Sequence, residues 1–93
     1  MKKNKLKLAR KKIDQLDQRI FDLLKKRTQI IRYMLSLKKF KKQIVDKKRI
    51  NKILKKIRKK SIEINIDPKI THRVWKNMIW SYIDYERRNF KKK

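Results

Sequence analysis

The chain has no cysteine and no glycine, one proline, one histidine and only 8 acidic residues. Without cysteine there is no disulfide, no thiolate metal ligand and no cysteine nucleophile, a composition that suits a reducing compartment. Without glycine, neither a Walker loop nor a dinucleotide-binding turn can form, because both need backbone free of a Cβ beside the phosphate. Long apolar runs are missing too, and no stretch approaches the ~20 residues of a membrane span. The basic start, Met1 to Lys12, carries only Leu6, Leu8 and Ala9 as apolar residues with charges between them, so it does not read as a signal peptide. The expected setting is cytoplasmic, with no membrane partner.

Positive charge is what the chain has in excess: 33 Lys and Arg against 8 acids, a net +25 over 93 residues. Such an excess by itself points to a polyanion, a nucleic acid or an anionic membrane surface. Most of the lysines, however, fall in runs such as Lys25-Lys26, Lys41-Lys42, Lys55-Lys56 and Lys91-Lys92-Lys93, whose plain reading is a solvated face. The whole chain is also biased toward Lys, Ile and Asn. A basic, helical nucleic-acid-binding protein is therefore the alternative and not the expectation; a steep loss of affinity for duplex DNA with salt would reveal it. The length allows one domain, residues 1–93 with a basic tail from about 88, and a small core, so a partner subunit is expected to add stability.

From about Leu6 to Lys38 no glycine or proline interrupts a helical pattern. Ile13, Ile20, Arg27 and Met34 stand seven apart, as do Leu16, Leu23, Ile30 and Leu37, and together they make a coiled-coil-like seam. A flanking column reads Arg10, Asp17, Leu24, Ile31 and Lys38. Such a helix is roughly 45–50 Å long, whereas a domain of this size has a radius of gyration of about 12 Å. A second copy of the chain is the simplest cover for the protruding seam, which predicts an intertwined helical homodimer. Residues Lys39 to Val45 read as a connection, and Asp46 as the N-cap of a second helix carrying Ile50, Ile53, Leu54 and Ile57 and ending near Ser61. After Ile62 to Ile66, Asp67-Pro68 opens a third helix. Its one face carries Thr71, Trp75, Met78, Tyr82 and Tyr85, with Ile79, Ile83 and Glu86 beside it. The predicted fold class is all-α, three helices with a very long first one.

The informative residues are ionic ones on apolar faces, because burying an unpaired charge is costly. Arg27 interrupts the seam; Arg10 and Lys38 end the flanking column; Asp46 and Arg49 share the inward side of the second helix; Glu86 lies one turn after Tyr82. Any one of them could snorkel to water or pair locally, Arg49 with Asp46 for example. Four cations able to converge on one interior space instead describe a pocket for a small dianion. Arg27 and Lys38 are about 16 Å apart along the helix axis, a gap two long side chains can close on one ligand, but Arg10 and Arg27 are about 26 Å apart. Arg10 then belongs in the pocket formed by the partner chain. His72 has no spaced acidic or cysteine partners, so no metal site is expected. Trp75, Trp80, Tyr82 and Tyr85 read as packing in preference to base stacking, and Ser36, Ser61 and Ser81 lack a histidine base for nucleophilic chemistry.

In order and spacing, Arg10-x-x-Ile13-Asp14-x-x-Asp17, Leu23-Leu24-x-x-Arg27, Lys38, Val45-Asp46-x-x-Arg49 and Trp75-x-x-Met78-Ile79 through Tyr85-Glu86 form one pattern. It resembles the all-helical chorismate mutase family over roughly Leu6 to Arg88. The resemblance implies a homodimer with two shared sites, an isomerase of the shikimate pathway serving aromatic amino acid biosynthesis. Its substrate would be the small dicarboxylate chorismate, rearranged to prephenate without metal, cofactor or covalent intermediate. By position, Arg27 would hold one carboxylate and the partner subunit's Arg10 the other. Lys38 would reach the ether oxygen and a carboxylate, Asp46 and Arg49 would line the wall near the ring hydroxyl, and Glu86 would hydrogen-bond the ether oxygen. Lys38, Glu86 and Arg27 are thus the catalytic candidates. Two positions depart from the family pattern: Ile50 replaces a glutamate that contacts the ring hydroxyl, and Tyr82 replaces a serine that touches a carboxylate. The first leaves an isochorismate pyruvate lyase or an aminodeoxychorismate mutase open as alternatives.

Overall fold

The computed structural model describes residues 2–91, so Met1 and the last two lysines of the predicted basic tail lie outside the described residues. In chain order it contains α1 (Lys2–Leu37), a single 3-10 turn (Lys41–Gln43), α2 (Lys47–Glu63) and α3 (Pro68–Asn89). Among the described residues there is no strand, and no helix is long and apolar enough to cross a membrane. The fold is all-α with a long first helix, as the periodicity predicts. The helices are longer than predicted: α1 starts before Leu6 and α2 runs past Ser61.

The chain divides into two compact units, one up to Tyr33 and one from Met34 onward. The first is the bulk of α1. Its sequence is rich in Leu, Lys, Arg and Gln and free of helix breakers, so the local preference for helix is strong. No residue of α1 is buried. The heptad seam is open along its length, with Ile13 56%, Leu23 63% and Ile30 60% exposed.

The second unit holds the last turn of α1, the 3-10 turn, α2 and α3, with α2 packed on α3. Asp46 caps α2 by accepting from the Arg49 N–H at 3.0 Å, and Asp67 caps α3 by accepting from the Lys69 N–H at 2.9 Å. Pro68 follows in the first turn of α3, where its missing N–H costs nothing. The end of α2 usually calls for glycine. Lacking one, the chain uses Asn65 at φ 61°, and the N–H groups of Ile66 and Asn65 reach back to the carbonyls of Ser61 and Ile62 at 2.9 and 3.3 Å. This is a Schellman closure with asparagine in the left-handed position it tolerates best after glycine.

Ile44, Ile79 and Ile83 form the buried core, with Leu35, Val45, Ile50, Ile53, Leu54 and Phe90 packed against it. The predicted inward face of α3 is the observed one: Ile79, Ile83 and Glu86 are buried, and Thr71, Trp75, Met78, Tyr82 and Tyr85 are half-buried. Ser61 is 2% exposed. Its Oγ donates to the Ile57 carbonyl at 2.6 Å and lies 2.6 Å from Thr71 Oγ1, tying α2 to α3. Ser61→Ala is expected to lower unfolding stability by about 1 kcal/mol, the scale of one intramolecular hydrogen bond. A urea midpoint unchanged from wild type at equal protein concentration would show that this tie contributes nothing.

Candidate active site

Two ionic residues meet where α1 ends. Lys38 is the first residue beyond α1, its N–H donating to the Leu35 carbonyl at 3.1 Å. Glu86 projects from α3 and is 4% exposed. A carboxylate buried this far needs a partner. It has one: Lys38 Nζ donates to Glu86 Oε2 at 2.8 Å, a charge-assisted hydrogen bond of the strong kind. The contact joins residues 48 positions apart in the sequence. Replacing such a pair with apolar residues is often neutral or stabilising, so stability alone does not account for placing it in so small a core.

The other predicted residues of the second unit surround α2 and α3. Asp46 and Arg49, expected on the inward side of α2, are instead both exposed, because Ile50, Ile53, Leu54 and Ile57 take that side, and the bond between them is the cap itself, backbone N–H to carboxylate. Ile50 is half-buried against the isoleucine core and also lines a groove of about 300 Å³ with His72 and Trp80. Tyr82 is half-buried on α3, one turn before Glu86. In the first unit, Arg27 is half-buried and Arg10 exposed on the same helix, Arg10 beside Asn4, Lys7 and Asp14 in a shallow groove. The structure therefore brings Lys38 and Glu86 into contact and joins Asp46 to Arg49; Arg10 and Arg27 are described on their own helix.

Sequence reasoning passes over Gln43. Its Oε1 accepts from the N–H of Lys39 at 2.8 Å and of Phe40 at 2.9 Å, within the segment that carries Lys38. No spacing rule marks an exposed glutamine in a polar connection, so nothing short of the loop conformation reveals it.

A long helix followed by a helical pair, with a buried lysine–carboxylate couple at the end of the first helix, defines an all-α protein. A family model described as chorismate mutase type II matches residues 9–87, and the chain belongs to that family, which supports a chorismate mutase-type function. No curated protein and no solved structure matches the chain.

Proposed function

We propose that the chain is a chorismate mutase that rearranges chorismate to prephenate. The observation that carries this reading is the Lys38–Glu86 bond at 2.8 Å, a donor and its acceptor at the two positions where the family pattern calls for contact with the ether oxygen. The reaction moves electrons around one ring of six atoms: the C–O ether bond breaks, a C–C bond forms and the enol ether becomes a ketone. Because C–O cleavage runs ahead, negative charge grows on the ether oxygen while the substrate is held in a compact chair. Catalysis is then positioning plus electrostatic stabilisation. Lys38 supplies the cation at that oxygen, Glu86 when protonated a second hydrogen bond to it, Arg27 and the partner subunit's Arg10 hold the two carboxylates, and Asp46, Arg49, Ile50 and Tyr82 line the wall. The partner is a second copy of the chain, since the exposed apolar seam of α1 suits a helical dimer, and the setting is the cytoplasm.

The deciding assay is loss of chorismate's ultraviolet absorbance on adding protein, with acid turning the product into phenylpyruvate. Ile50 in place of a ring-hydroxyl contact makes isochorismate and aminated chorismate the substrates to run alongside. Pyruvate released from isochorismate, with chorismate untouched, would make the chain a lyase instead.

Glu86→Gln tests the contact at the ether oxygen. An amide can accept from Lys38 Nζ, as Glu86 does at 2.8 Å, and still donate a hydrogen bond of its own. The variant is expected to keep its turnover of chorismate, and loss of activity in a folded Glu86→Gln protein would show that the carboxylate itself is needed.

A further inference from the structure

The segment that carries Lys38 is largely exposed between Lys39 and Gln43. Between Leu37 and Asp46 there is no glycine or proline, Phe40 is 60% exposed, and Lys38, Lys39, Lys41 and Lys42 crowd like charges into a short stretch. Two anchors bracket it: the last turn of α1 through the Lys38 N–H to Leu35, and the buried Ile44, 5% exposed. Between them a single atom, Gln43 Oε1, collects both N–H groups that follow Lys38, at 2.8 and 2.9 Å. The Gln43 N–H closes the same turn on the Phe40 carbonyl at 3.0 Å. Removing that oxygen would leave two adjacent backbone donors without a protein partner next to the residue whose ammonium reaches Glu86.

We propose that Gln43 is a positioning residue, which fixes the backbone after α1 so that Lys38 Nζ stays directed at Glu86 and the reacting oxygen; the role rests on the chorismate mutase reading above. Gln43 itself touches no substrate. Because its acceptor oxygen does the work, the side chains that keep the oxygen at the same reach must be separable from those that do not. Glu keeps reach and acceptor, Asn keeps the acceptor one methylene short, and Leu keeps the bulk alone.

The test compares Gln43→Glu, Gln43→Asn and Gln43→Leu for turnover of chorismate, with far-ultraviolet circular dichroism and thermal melting on the same samples. Gln43→Leu and Gln43→Asn are expected to lower kcat about tenfold or more with KM changed much less, as a displaced catalytic group does. Gln43→Glu is expected to stay within about twofold of wild type, since its carboxylate oxygen can accept both bonds. In a Lys38→Ala background Gln43→Leu is expected to add nothing further, because the two residues act through one atom. If Gln43→Leu does not fold, Gln43→Asn carries the comparison. A Gln43→Glu protein as slow as Gln43→Leu, or a Gln43→Leu effect that persists in full without the Lys38 side chain, would overturn the role while leaving the reaction intact. A wild-type protein inert toward chorismate would remove the reaction itself.

Discussion

Lys38→Ala is expected to lower kcat by about a hundredfold or more, the usual cost of removing one donor aimed at developing negative charge. KM should move less, because the charge on the ether oxygen exists mainly in the transition state. The substitution has a second consequence. It leaves Glu86, whose side chain is 6% exposed, without the ammonium that now satisfies it, and breaking a buried pair from one side costs on the order of 3–5 kcal/mol. A slow enzyme could then be merely an unstable one. The control is Lys38→Met combined with Glu86→Gln, which removes both charges while keeping similar volume. The double variant is expected to melt close to wild type and still turn over slowly. Recovery of turnover along with stability would show that Lys38 serves the fold and not the reaction.

The same two residues show how far sequence reasoning reaches. Asp46, Asp67 and Pro68 are legible because capping is local chemistry, decided by side chains within three positions of the groups they satisfy. Ile79, Ile83 and Glu86 are legible as one face because helical period fixes which residues lie together. Lys38 and Glu86 each stand out as a charge on an apolar face, and the family resemblance assigns both to one oxygen. That they bond each other across 48 positions depends on how the end of α1 is brought to α3, which no local pattern encodes. Gln43 and Asn65 were illegible for a different reason. Their roles are backbone roles in irregular segments, one as a shared acceptor and one as the left-handed residue of a helix end, and the identity of a polar side chain does not announce either. The Ser61–Thr71 tie was hidden likewise, since a serine near a helix end usually faces water.

Equal mixing of Arg10→Ala with Arg27→Ala chains is expected to restore activity that neither has alone. Each arginine is assigned one carboxylate of the substrate, so each homodimer lacks one clamp in both of its pockets and should be nearly inactive. The two residues lie 17 positions apart on one helix, about 26 Å at 1.5 Å per residue, too far for one small molecule to touch both from a single chain. In a heterodimer, the Arg27→Ala chain can lend its Arg10 to the pocket whose Arg27 belongs to the other chain. One pocket is then whole and the other lacks both arginines. Random exchange makes half the dimers mixed, each with one good pocket of two, so about a quarter of wild-type activity should return. The exposed heptad seam of α1, with Ile13, Leu23 and Ile30 open to water, is the surface such a dimer would bury. Sedimentation at low micromolar concentration should accordingly find no folded, active monomer. Dimers that exchange subunits freely yet regain no activity would rule out sharing of the site between chains, and an active monomer would rule out the dimer itself.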